Sequence, residues 1–196
     1  MKKHFYALIT LFFLFATLHA KEINILAFGD SITFGNGATL QESYPAQLQK
    51  IAKHKVINAG LPGEDSSHGA QRLKKLLEQS TDIDIILLCH GANDILHNKS
   101  KSILAKNIQK MIETAQKRGI KVLLIGVVNF NFQDLQTLPL YKNLATKYHT
   151  AYNGEILKRI EADPQLKSDP IHPNAKGYAK MAKAIFDSLN EAKFLK

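Results

Sequence analysis

Four short apolar runs, set apart by amphipathic stretches, constrain this chain more than any other feature. Residues 23–28, 55–59, 83–89 and 120–128 read as strands, and the last two are almost unbroken in apolar character. Unbroken runs suit strands covered on both faces, as in a parallel sheet. Between them the period is near 3.6. Residues 100–118 place Ile103, Leu104, Ile108, Met111, Ile112 and Ala115 on one stripe, with Ser100 or Ser102 as N-cap and Gly119 just past the end. Residues 67–79 do the same with Ala70, Leu73, Leu76 and Leu77, and Asn174 can cap a last helix with Tyr178, Met181, Ala182, Ile185, Phe186 and Leu189 inward. A shorter strand near 149–152 would make five. The βαβ order predicts an α/β fold with a doubly wound, mostly parallel sheet and right-handed crossovers. Residues 21–196 read as a single domain, without a repeat or linker.

The first twenty residues stand apart. Lys2 and Lys3 precede an apolar run from Phe5 to Leu18, broken only by Thr10 and Thr17, that ends in Leu18-His19-Ala20. This is the pattern of a cleaved secretory signal peptide over 1–20. The run is shorter than the roughly 18 to 20 apolar residues a membrane span needs. Export to the periplasm is the expectation. The single cysteine excludes a disulfide framework and any multi-cysteine zinc or iron–sulfur site. The net charge of +9 comes from bases spread over most of the chain, so a dedicated nucleic-acid binder is not expected.

In a parallel sheet, ligands bind beyond the carboxyl ends of the strands. Those ends carry Gly29-Asp30-Ser31-Ile32-Thr33, Asn58-Ala59-Gly60 and His90-Gly91-Ala92-Asn93-Asp94, and a late loop carries Asp169-Pro170-Ile171-His172-Pro173 before the last helix. Singly, each cluster reads as a cap or a turn. Together they converge on one rim.

These four ordered blocks, Gly29-Asp30-Ser31, Gly60, Asn93 and Asp169-x-x-His172, resemble those of the SGNH (GDSL-type) hydrolases over nearly the whole chain after residue 20. Within that family the compact length and the segment from Asn58 through Leu77 are most similar to the small secreted thioesterase I, arylesterase and lysophospholipase L1 group. The resemblance implies a flavodoxin-like three-layer α/β/α sandwich with a five-stranded sheet, a serine nucleophile, and neither metal nor cofactor. It leaves the acyl substrate open among esters, thioesters, phospholipids and acetylated sugars.

The chemistry can be argued beside the resemblance. A serine hydroxyl is a weak nucleophile at neutral pH and needs a base, held in the right tautomer by a third group. Ser31, His172 and Asp169 fit those roles, with Pro170 and Pro173 stiffening the loop. Candidate oxyanion donors are the N–H groups of Ser31 and Gly60 and the side-chain amide of Asn93. A side chain at Gly60 would be expected to crowd the tetrahedral centre. Ser31 is followed by Ile32 and Thr33, so the G-x-S-x-G elbow of the α/β-hydrolases is absent.

Other conspicuous residues have plainer readings. Cys89 ends an apolar strand and reads as a buried thiol of raised pKa. His90 and His68 lie near the same rim as competing bases, yet neither is seen with a carboxylate at the spacing that serves His172. A metal site from His68, His90, His97 and Asp94 has irregular spacing. Asp30 fixes the serine loop by backbone hydrogen bonds, and with Phe130 and Phe132 it is placed among the substrate contacts. The reading is a secreted serine esterase or thioesterase working through an acyl-enzyme on acyl esters or thioesters, with a small acyl ester or lipid as substrate, monomeric, with at most transient membrane-surface contact and no nucleic-acid partner. A carbohydrate or peptidoglycan O-acetylesterase shares the same triad. A catalytically silent envelope ligand-binding protein is the alternative of another class.

Overall fold

The computed structural model describes residues 22–80 and 82–195; the expected signal peptide over 1–20 lies outside the described residues. In chain order the elements are β1 (Asn24–Gly29), α1 (Ser31–Phe34), α2 (Tyr44–Ala52), β2 (Lys55–Gly60), α3 (Ser66–Gln79), β3 (Ile85–Cys89), α4 (Ala92–Leu96), α5 (Lys101–Gln116), β4 (Lys121–Ile125), α6 (Pro139–Tyr148), β5 (Ala151–Asn153), α7 (Ile156–Glu161) and α8 (Ala175–Glu191). The strands form one sheet in the order β2-β1-β3-β4-β5, and every pairing is parallel.

The reason is visible in the strands. β3 is buried at every position and β4 at every position but Lys121, so side chains on both faces of the sheet need cover. One layer is α2 packed on α8, with α7 beside α8; the other is α3 packed on α5, with α6 beside α5. Tyr44, Leu48, Tyr178, Met181 and Ile185 fill the first interface, and Leu73, Leu77, Leu104, Ile108 and Met111 contribute to the second. The expected caps form. Ser100 Oγ accepts from the N–H of Ile103 at 3.4 Å, and Asn174 Oδ1 accepts from Lys176 and Gly177 at 3.0 and 3.1 Å.

Two differences from the sequence pattern have physical causes. The apolar run 120–128 outlasts its strand: β4 stops at Ile125, while Val127 and Val128 remain buried. They leave the sheet and pair with the returning chain, Val128 bridging Thr137 and the N–H of Leu138 donating to Val127 O. Ile103, placed on the inner stripe of α5, is instead 56% exposed; it sits in the first turn of that helix. Among the described residues no helix is long and apolar enough to cross a membrane.

Candidate active site

The first strand ends at Gly29, and the chain turns at once into α1. Asp30 caps that helix, its Oδ1 accepting from the N–H of Ile32 at 3.2 Å. Ser31 is therefore the first helical residue, and its own N–H faces outward at the helix start. At the other end of the chain, the segment between α7 and α8 folds back on itself. Lys167 bridges Pro173, and the N–H of Ser168 donates to His172 O at 2.9 Å. This hairpin delivers His172, whose Nε2 lies 3.0 Å from Ser31 Oγ. Its Nδ1 lies 2.7 Å from Asp169 Oδ2. Asp169 is fixed in turn through Oδ1, which accepts the N–H groups of Ile171 and His172 at 2.9 and 2.8 Å. Partial burial would raise the Asp169 pKa, but those N–H groups and the imidazole outweigh it and hold the carboxyl below its ordinary range. Ser31, His172 and Asp169 thus form one continuous hydrogen-bonded chain.

The serine opens into a cleft of about 170 Å³ bounded by Asn36, Gly63, Asn93, Leu96, Phe130 and Ile171. Asn93, in the short α4, donates one amide hydrogen to Glu64 O at 2.9 Å. Gly60 does not reach this cleft, contrary to the sequence expectation. It is the last residue of β2, its N–H donates to Asn58 Oδ1 at 3.0 Å, and a Cβ there would collide with the backbone of Phe34 at the back of α1. Its lack of a side chain serves the packing of helix on strand rather than a reacting centre. The glycine at the cleft is Gly63, with φ +77° and open space where a Cβ would stand. The Pro62-Gly63 dipeptide is a turn signal in the sequence.

The expected substrate contacts divide. Phe130 lines the cleft, held at φ +51° by a loop that Asn129 staples: its Oδ1 accepts from Asn131 and Gln136 at 3.0 and 3.2 Å, and its Nδ2 donates to Asp134 O at 2.9 Å. Asp30 is 1% exposed and is a capping residue out of a ligand's reach; its burial pushes the carboxyl above its ordinary value. Phe132 is 55% exposed and stacks under the ammonium of Lys167, 4.6 Å away, outside the cleft.

The two other rim histidines do different work. His90 is fully buried, with Nε2 3.1 Å from Glu64 Oε2. His68 is exposed and does have a carboxylate at the spacing of the Asp169–His172 pair: Asp65 Oδ1 lies 3.0 Å from its Nδ1. Among the described residues no serine is hydrogen-bonded to its far nitrogen; the Ser67 hydroxyl donates to Asp65 as well. Cys89 is buried, and burial raises its thiol pKa well above the ordinary value. No group of three or more His, Cys, Asp or Glu side chains among the described residues could share a metal ion. A larger hollow of about 670 Å³ lies past the end of β5, beside Tyr152 and Arg159, and contains no nucleophile–base pair.

Behind the histidine hairpin, Glu161 is 2% exposed and neither of its oxygens accepts a hydrogen bond among the described residues; the ammonium of Lys167 is 3.5 Å from Oε2. Burial pushes its pKa up to about 7, against the opposing pull of Lys167. The folded state therefore holds this proton more tightly than the unfolded chain, and stability falls as pH rises from about 4.5 through about 7. Glu161→Gln should melt like the parent near pH 4.5 and a few degrees higher at pH 8, as measured by thermal unfolding across that range.

Known proteins resemble this chain in sequence and in fold. The family model described as GDSL-like lipase/acylhydrolase matches residues 27–180. An arylesterase of Vibrio mimicus is 26% identical over 194 residues, covering 93% of this chain and 96% of that protein. Thioesterase 1/protease 1/lysophospholipase L1 of Escherichia coli is 24% identical over 157 residues, 76% of this chain and 75% of that one. The crystal structure of TesA superposes with a TM-score of 0.76 at 25% identity, over 86% of this chain and 98% of TesA.

Proposed function

The chain belongs to the GDSL-like lipase/acylhydrolase family, is a serine carboxylic ester hydrolase of that family, and acts on small-molecule esters or lipids; on that premise we propose that Ser31 attacks the ester carbonyl with His172 as its base. The observation that carries this reading is the unbroken path from Asp169 Oδ2 through the imidazole to Ser31 Oγ, at 2.7 and 3.0 Å. The sequence of steps follows from the groups present. His172 Nε2 takes the hydroxyl proton as Ser31 Oγ adds to the carbonyl carbon. Asp169 keeps the other ring proton on Nδ1 and steadies the imidazolium. The oxyanion is met by the N–H of Ser31, the N–H of Gly63 and the free amide hydrogen of Asn93. Collapse expels the alcohol, which receives the proton from His172. Water activated by the same imidazole then releases the acid from the acyl-serine.

Cleft size bears on the substrate. Pockets that enclose drug-sized ligands run to about 300–1,000 Å³, so a cleft of about 170 Å³ suits an acyl group of a few carbons. A short-chain ester is therefore our reading, and the same small cleft suits the acetyl group of a carbohydrate or peptidoglycan O-acetylesterase. Thioesters are already among the substrates expected from sequence, and the name of the Escherichia coli relative supports testing them beside oxygen esters. The run of residues 5–18 behind Lys2 and Lys3 supports export and periplasmic action.

Rates on p-nitrophenyl esters from acetate to palmitate test the size reading, with acetate or butyrate expected to be best. Phe130→Ala should raise the rate on octanoate relative to acetate by about 10-fold, the order that one or two methylenes in an apolar pocket command. A best rate on palmitate in the parent would overturn the short-chain reading. A fluorophosphonate probe should label the protein at Ser31, located by peptide mass; absence of labelling would favour a silent ligand cup.

A further inference from the structure

Beneath the cleft lies a clamp that the steps above do not use. Glu64 follows Gly63, and its carboxylate is 3% exposed. Oε1 accepts from Arg72 Nε at 2.8 Å; Oε2 accepts from Arg72 Nη2 at 2.6 Å and pairs with His90 Nε2 at 3.1 Å. The rest of the guanidinium reaches the last strand carbonyls, Ala59 O at 2.9 Å and Gly29 O at 3.2 Å, and lies 4.2 Å above the Phe28 ring. His90 follows β3 and stacks with Phe28, their ring centroids 5.9 Å apart. Its Nδ1 is buried without a partner, so a proton on Nε2 leaves only an acceptor unsatisfied and gives Glu64 a third donor. A Cβ at Gly69 would collide with this imidazole. One carboxylate thus gathers the ends of β1, β2 and β3.

A buried ion pair adds little net stability over well-packed apolar side chains of the same size, so its place here calls for another account. The main chain of the same residue supplies one. Glu64 O is the acceptor that holds Asn93 Nδ2, at 2.9 Å. An amide nitrogen carries two hydrogens, and committing one to Glu64 O fixes the direction of the other.

We propose that Glu64 is a positioning residue for the oxyanion-binding amide: its carboxylate, locked by Arg72 and His90, sets its own carbonyl so that Asn93 aims its second N–H into the cleft beside the N–H of Gly63. This rests on the reading of Asn93 as an oxyanion donor. Because that donor matters most when charge develops on the carbonyl oxygen, a slackened clamp costs kcat and spares KM.

A double-mutant cycle on p-nitrophenyl acetate separates positioning from general loosening. In Glu64→Gln the three facing donors meet an amide nitrogen at one site, and the carbonyl is no longer held. kcat should fall by about 10- to 10²-fold, the order that a misplacement of up to about 1 Å costs, with KM within about twofold. Asn93→Ala alone should cost about 10²- to 10³-fold. Adding Glu64→Gln to Asn93→Ala should then change kcat by less than about twofold, since there is no amide left to aim. An equal further loss in both backgrounds, or no loss in the parent background, overturns the proposal. A normal kcat in Asn93→Ala refutes the oxyanion reading itself, and the proposal with it. Should Glu64→Gln fail to fold by circular dichroism, Arg72→Lys, which keeps the charge and breaks the fork, runs the same cycle with the same expected non-additivity.

Discussion

Ser31→Ala should lower kcat/KM for a p-nitrophenyl ester by about 10³-fold or more, with the fold intact by circular dichroism. Magnitude follows mechanism: without Oγ there is no acyl-enzyme, and the residual rate comes from the oxyanion donors and binding alone. Folding should be spared, because among the described residues Ser31 Oγ is bound only to His172 Nε2, at 3.0 Å, and the start of α1 is capped by Asp30 rather than by Ser31. Burst and steady-state rates should both vanish into the uncatalysed background. A Ser31→Ala protein that retains a tenth of parental activity would remove the serine from the mechanism.

Asp169→Asn should cost about 10⁴-fold in kcat, the penalty of a wrong tautomer in triad enzymes, and the local geometry says why. Oδ1 of Asp169 is claimed by two backbone N–H groups, those of Ile171 and His172, at 2.9 and 2.8 Å. An asparagine would keep its carbonyl oxygen there and turn its NH₂ toward His172 Nδ1. That nitrogen would have to accept, which moves the ring proton onto Nε2 and aims it at Ser31 Oγ. The imidazole then has no lone pair for the hydroxyl proton. Asp169→Ala, which imposes no tautomer, should retain more activity than Asp169→Asn; steady-state kinetics on the two variants decide it, and the reverse order would contradict this account.

The sequence was most readable where burial is two-sided. β3 and β4 stood out because neither face of a central parallel strand can be polar, and α5 and α8 because each buries a single stripe between caps. The same signal overran at residues 127 and 128, since an apolar run reports burial and not which partner the backbone bonds. α2, α6 and α7 left no clear trace: α6 buries only Tyr141, Leu144 and Ala145, and α7 has six residues, too few for a period to declare itself. At the site, Ser31, Asp169 and His172 were legible as blocks at strand or loop ends. Gly60 was read as an oxyanion donor, while the glycine that lines the cleft is Gly63, because spacing locates a loop to within a few residues and does not say which of its glycines borders the site. Glu64, Arg72 and His90 were invisible as a unit, since they meet through side chains from three separate elements.

The proposed nucleophile and base lie 141 residues apart in sequence, the first just after β1 and the second in the hairpin pinned by the cap of α8. No fragment lacking either end can assemble the pair, and long-range parallel topologies close late. The proposed hydrolytic pair therefore needs both ends of the described fold to be in place. A chain in which the two ends of the fold have not met lacks the Ser31–His172 contact and, on the proposed mechanism, is inert toward esters.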